Sequence, residues 1–111
     1  MPEPKRIIIA SDAGIAVRSF ADVSETIGAC LGVSGLILAE SDLGPEFFDL
    51  RSGLAGELFQ KFVNYRVQVA IVLPDPTAYG ERFGELAYEH RTHKLIRFVC
   101  SADEAKAWLA A

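Results

Sequence analysis

Asp49, Arg51 and Ser52 stand just ahead of a helical pattern, and their types suit the capture of an anion. The first N–H groups of a helix have no partner within it, and its dipole places partial positive charge there. Arg51 adds a guanidinium that can donate two parallel hydrogen bonds to a carboxylate or phosphate. The same residues admit a local reading, with Ser52 as the helix cap and Asp49 paired with Arg51. Such a cap stabilises by about 1 kcal/mol. Glu57, Gln60, Lys61, Asn64 and Tyr65 then share the polar half of the helix, with Glu57 and Lys61 at the i,i+4 spacing of an exposed ion pair. Amides that donate and accept, beside two opposite charges and a tyrosine, suit contact with a protein partner or a second copy. A solvated surface and a ligand pocket are the competing readings.

Glu89, His90 and His93 form a second titratable group, with Arg91 and Lys94 beside them. Glu89 and His90 are an acid and a base by type. Adjacent helical residues point about 100° apart, so the two do not converge on one atom. His90 and His93 have a spacing that can bind a metal, but no cysteine or carboxylate cluster completes a ligand set. Cations complementing a helix C-terminus are the plainer reading. No enzyme motif emerges. Gly53-Leu54-Ala55-Gly56 lacks the lysine and the spacing of a phosphate-cradling loop and falls inside a helix. No nucleophile elbow and no Cys/His pairing is present. No cofactor or metal is indicated.

The elements that position these residues follow from periodicity. Ile7–Ala10 is a β-branched run, and Ser11-Asp12-Ala13-Gly14 is turn chemistry. Ile15–Arg18 alternates and is expected to pair back as a second strand. Phe20, Val23, Ile27, Cys30 and Leu31 recur at helical spacing, closed by Gly32 and Gly35. Gly35–Ala39 has no polar face, so it reads as a central strand buried on both sides. A connection bearing Phe47 and Phe48 follows. A helix from Gly53 then carries Leu54, Ala55, Leu58, Phe59, Phe62 and Val63 on its apolar face. Val67–Leu73 is a strand, stopped by Pro74 and Pro76. Tyr79, Phe83, Leu86, Ala87 and His90 form the stripe of another helix. Leu95–Cys100 is the last strand. Ser101 and Glu104 make a capping box for a final helix that buries Ala105, Trp108 and Leu109. The predicted order is β-β-α-β-α-β-α-β-α, an α/β domain with a mixed, mostly parallel sheet flanked by helices.

Composition bounds the partners. The chain has 111 residues, half of them apolar, which fits one domain over 1–111 with its own core. The net charge is −4 and the basic residues are dispersed. Nucleic acid and anionic membrane need clustered Lys and Arg, so neither is expected as a partner. No apolar run approaches the roughly 20 residues of a membrane span. The N-terminal stretch Met1–Arg6 leads into a run too short for a signal peptide. Two cysteines and no export signal point to a reduced, cytoplasmic protein, with Cys30 and Cys100 as buried thiols.

Two resemblances add to this reading. Phe47-Phe48-Asp49-Leu50-Arg51-Ser52-Gly53-Leu54-Ala55-Gly56-Glu57, followed by Gln60-Lys61-Phe62-Val63-Asn64-Tyr65-Arg66, resembles the signature of a small bacterial family, domain of unknown function 4180. Tyr88-Glu89 and the last helix fit its plan, and the likeness covers nearly the whole chain. The chain departs from it at Leu73-Pro74-Asp75, where members usually carry Gly-Asp. It departs again at His90 and His93, where they carry Asn and then Gly. The element order also resembles the STAS domain of anti-sigma-factor antagonists and anion transporters. There a phosphorylatable serine in Asp-Ser-Ser-Gly-Leu opens the second helix. Here Asp49-Leu50-Arg51-Ser52-Gly53-Leu54 takes that place, without the serine that directly follows the Asp.

The expected function is a non-catalytic binding or regulatory module for a protein partner or a small anion, with self-association as a homodimer as one form of partnership. Asp49, Arg51, Ser52, Glu57, Gln60, Lys61, Asn64 and Tyr65 are its candidate contacts. The alternative is a small enzyme or ligand-sensing subunit using Asp49, Arg51 and Glu89 near the C-terminal ends of the strands.

Overall fold

Four apolar runs build one sheet: β1 (Ile7–Ile9), β2 (Gly35–Ala39), β3 (Gln68–Val72) and β4 (Ile96–Val99). Their spatial order is β1-β2-β3-β4, and every neighbouring pair is parallel. The computed structural model describes residues 6–111; the N-terminal lead-in, residues 1–5, lies outside the described residues. The helices are α1 (Ala21–Cys30), the single turn α2 (Pro45–Phe48), α3 (Leu54–Asn64), α4 (Glu81–Glu89) and α5 (Ala102–Ala110).

The two faces of the sheet carry different loads. Leu36, Leu38, Val69, Ile71, Ile96 and Phe98 point to one face and pack with α1, α3 and α4. Ile37, Ala70 and Val99 point to the other and pack with Ala105 and Leu109 of α5. Period-2 alternation divides each strand between the faces, which explains why β2 and β3 read as continuous apolar runs. All strands run one way. The loops after β1, β2 and β3 therefore gather at one end of the sheet, and the loops that lead into β2, β3 and β4 gather at the other.

The α/β class with flanking helices agrees with the sequence reading, but the initial hairpin does not form, and the sheet is all-parallel rather than mixed. Ile15 and Val17 are buried and alternate with Ala16 and Arg18, as a strand would. The Ile15 N–H closes the turn by donating to Ala10 O at 2.8 Å, but Val17 does not pair with β1. Val17 makes an isolated parallel bridge to Leu43. Its N–H donates to Asp42 O at 2.8 Å and its carbonyl accepts from Gly44 N at 3.0 Å. The segment crosses the end of β2 instead of lengthening the sheet. Buried Asp42 anchors this crossing by accepting the Ala39 N–H at 2.8 Å.

Other departures lie at element ends. Phe20 and Leu31 flank α1 rather than pack inside its stripe, at 47% and 60% exposure. Val63 leaves the α3 core face with 43% exposure. Cys30 is buried as expected, and burial pushes its thiol pKa up. Cys100 is exposed, because β4 ends at Val99 and the next residue begins the turn into α5. The Cys100 N–H donates to Glu104 Oε2 at 3.0 Å while Glu104 N donates to Ser101 Oγ at 3.1 Å. The expected cap is thus formed, with the carboxylate reaching one residue further back. Trp108 is part-buried under the Arg97 guanidinium, 4.6 Å from the ring centroid.

Two glycines mark close approaches. A Cβ at Gly44 would meet Arg18 Cα at 3.0 Å, where the crossing segment touches the turn before α2. A Cβ at Gly35 would meet only the tip of Leu109, at 2.9 Å. A side-chain tip can rotate away, whereas a backbone atom cannot. Gly44→Ala is therefore expected to lower the unfolding free energy by about 1–3 kcal/mol, and Gly35→Ala by less. Urea denaturation of both variants measures the order, and a larger loss for Gly35→Ala would contradict the crossing.

Candidate functional site

The loops after β2 and β3 are neighbours because their strands are neighbours, and they enclose a cleft of about 600 Å³. Asp49 and Arg51 line one wall; Glu81 and Arg82 line the other. Phe48 and Tyr79 stack almost parallel between them, with centroids 3.7 Å apart and planes at 8°. Proline at the first position of α2 starts that turn without wasting an N–H. Phe47 then enters the core while Phe48 stays at its edge. The adjacent aromatics thus divide between core and cleft on a helical turn within the expected connection.

The turn from Asp49 to Leu54 is held by its own side chains. Asp49 Oδ1 accepts the Arg51 N–H at 3.1 Å. The Ser52 hydroxyl donates to Glu46 O at 2.7 Å and accepts from Leu54 N at 3.1 Å. Gly53 has φ +79°, the left-handed conformation that glycine adopts without penalty, and this redirects the chain into α3. The local Asp49–Arg51 ion pair does not form, because the carboxylate is engaged by the backbone. Among the described residues, Lys61–Glu57 at 3.9 Å is the one ion pair, so Arg51 and Arg82 line the cleft without an ion-pair partner, as do Asp49 and Glu81.

Tyr79 lines the cleft but is not among the residues the sequence singles out. Its place on an apolar stripe pointed to a helix interior, yet it ends a 3-10 turn (Pro76–Tyr79), and Gly80 at φ +109° separates it from α4. The Tyr79 hydroxyl donates a hydrogen bond to Glu40. That bond, with some desolvation and the nearby carboxylate charge, holds the phenol pKa above its usual value. The sequence does not single out Glu81 and Arg82 either. A turn signal, Pro76 to Gly80, precedes them, but nothing local reveals that they face Asp49 and Arg51.

The remaining candidates do not enter the cleft. Glu57, Gln60, Lys61, Asn64 and Tyr65 run down α3 away from it. Gln60 and Asn64 are exposed, and Lys61 with Tyr65 borders a shallow groove of about 270 Å³ against Ile27 and Leu31 of α1. Tyr65 is 56% exposed. Glu89 lies at the far end of α4, on a depression with Thr77, Glu85 and Tyr88 that adjoins the cleft at Glu81 but does not contain Asp49 or Arg51. Asp49, Arg51 and Glu89 therefore share no cavity.

The histidines occupy the opposite end of the sheet from the cleft. His90 Nδ1 bonds Leu86 O at 2.8 Å, and its ring packs on Phe59. His93 is not a helix-terminal cation. Its Nδ1 accepts the N–H groups of Leu95 and Ile96, each at 3.1 Å. Two donors on Nδ1 require a ring unprotonated there. Burial, then the neighbouring His90 and Arg97, hold the His93 pKa below its usual value. The two rings lie 5.1 Å apart. Among the described residues no group of three or more His, Cys, Asp and Glu side chains is placed to hold a metal, and no helix is long and apolar enough to cross a membrane.

Over residues 3–109 the chain matches the family described as Domain of unknown function (DUF4180), and it belongs to that family. No curated protein and no solved structure matches it.

His93 makes stability depend on pH. A histidine with a depressed folded-state pKa contributes its full stability above the unfolded value of about 6.5 and loses it as pH falls below that. The thermal midpoint is therefore expected to be flat from pH 8 to 7 and to drop between pH 6.5 and 5. His93→Asn places an amide oxygen near the Nδ1 position and does not titrate, so the drop should shrink. An equal drop in both proteins, followed by circular dichroism melts, would assign it to other groups.

Proposed function

We propose that this member of the DUF4180 family is a single-domain, non-catalytic binding module. It recognises an acidic group, on a protein partner or a small anion, in the cleft between the Phe48–Arg51 turn and the Tyr79–Phe83 segment. The observation that carries the reading is that Arg51 and Arg82, neither in an ion pair, line the cleft beside the Phe48–Tyr79 stack, where Asp49 is engaged by the Arg51 N–H and Glu81 is the other carboxylate. Guanidiniums bind carboxylates and phosphates through two parallel hydrogen bonds, and an aromatic floor suits a flat apolar group beside the charge. The separation of Glu89 from Asp49 and Arg51 weighs against the small-enzyme alternative.

The reading keeps the turn before α3 as the recognition element, the place where STAS domains carry their regulatory serine. The two hydrogen bonds of Ser52 favour a structural cap over a modification site. The exposed α3 face, with Tyr65 beside Leu31, is the surface proposed for a protein partner or a second copy. A bacterial cytoplasm is the proposed setting.

Phenyl phosphate, an aromatic dianion, probes the cleft. Arg51→Ala and Arg82→Ala are each expected to weaken its binding by about tenfold, the loss of roughly 1.4 kcal/mol, with the thermal midpoint nearly unchanged. Gln60→Ala, outside the cleft, should bind as wild type. Calorimetric titration that finds the arginine variants equal to wild type would remove the cleft from the account.

A further inference from the structure

A second groove lies at the other end of the molecule. Val63 and Arg66, at the C-terminus of α3, face Thr92, His93, Lys94 and Leu95, the loop leading into β4, across an open groove of about 680 Å³. We infer that this groove docks an acidic peptide segment of a partner protein.

Charge complementarity identifies the occupant. No carboxylate lines the groove. Arg66 and Lys94 have no ion-pair partner among the described residues. His93 accepts at Nδ1, so the neutral ring carries its proton on Nε2 and offers a donor there. Thr92 adds a hydroxyl. A chain of net charge −4 thus presents a cationic, carboxylate-free groove. Val63 is 43% exposed and Leu95 lies opposite, so an apolar strip runs beside the cations. A peptide with an aliphatic side chain next to a carboxylate matches both features, whereas a bare inorganic anion would leave the apolar strip uncovered.

The groove is also pre-organised, which lowers the ordering cost of binding. The His93 imidazole ties down Leu95 and Ile96. The Arg97 Nε–H donates to His93 O at 2.7 Å, and Gln68 Nε2 donates to Lys94 O at 3.3 Å. The loop backbone is pinned while Thr92 and Lys94 remain exposed. Ile96 already gives its N–H to His93, so recognition proceeds through side chains rather than through strand addition at this edge. Arg66 has φ +55°, and among the described residues it is the one non-glycine with positive φ. Glycine usually occupies this place just past a helix. An arginine held there in an unfavourable conformation, with its charge unpaired at the groove, points to a recognition role.

The test pans a random octapeptide phage library against wild type and against the Arg66→Gly/Lys94→Ala double variant. Enriched peptides are expected to place Asp or Glu beside Leu, Ile or Val. Synthetic copies should bind the double variant at least tenfold more weakly and Arg51→Ala as tightly as wild type. Glycine at position 66 relieves the unfavourable φ, so the variant's thermal midpoint should not fall on that account. If the double variant fails to fold, Lys94→Glu alone carries the comparison. Peptides without acidic residues, no enrichment, or binding unchanged by the variants would overturn the proposal. So would loss of binding in Arg51→Ala, or displacement by sodium hexanoate at the same concentration as by the peptide, which would make this a small-carboxylate site.

Discussion

The packing of Phe47 is the constraint on which the rest of the structure depends. Its ring, fully buried, meets Phe48 at 5.3 Å and Phe59 and Phe83 at 6.0 Å, edge to face. It thereby ties the α2 turn to α3 and α4. Phe83 continues the chain of rings to Phe98 of β4 at 5.7 Å. Each such pair adds about 0.5–1.5 kcal/mol beyond its buried area. The cluster holds the cleft on one side, because Phe48 cannot stack on Tyr79 unless Phe47 is seated. On the other side Phe59 packs on His90, and His90 on His93, the residue that pins the loop of the cationic groove. One set of rings therefore positions both proposed sites.

Strand direction explains why the sites lie at opposite ends, and why carboxylates (Asp49, Glu81) stand beside the arginines of the cleft but not in the groove. In a parallel sheet with α1, α3 and α4 on one face, those helices start at one end and finish at the other. Carboxylates favour helix starts and cations favour helix finishes. Asp22 and Glu81 stand in the first turns of α1 and α4, while Arg66 and Arg91 follow the ends of α3 and α4. Because these crossovers fall on one face and the strand order never reverses, the sheet has no switch point to open a ligand crevice. The cleft arises instead between two adjacent loops, so its walls depend on the α2 turn and on Gly80.

Much of the fold was legible, and the failures have physical causes. The buried faces of α3 and α4, the two-sided burial of β2 and the Ser101 cap all follow from local periodicity and local hydrogen bonding. Ile15 and Val17 show the limit. Alternation tells which side chains are buried but not which backbone they pair with, and Leu43, not β1, proved to be the partner of Val17. The site was half legible for the same reason. Asp49 and Arg51 stand out because a helix start is a local signal. Tyr79, Glu81 and Arg82 join them through contacts such as Tyr79 to Glu40, which no local pattern encodes. His93 was read as a helix-end cation because the loop N–H groups that need its lone pair become apparent only once β4 is placed.

The proposed ligand site is the arginine cleft rather than the α3 face. The most direct measurement is a backbone-amide NMR map of the whole protein with increasing phenyl phosphate. Shifts are expected to concentrate at residues 48–53 and 79–83, with the α3 face from Glu57 to Tyr65 unmoved. Shifts running along α3, or spread evenly over the molecule, would contradict it.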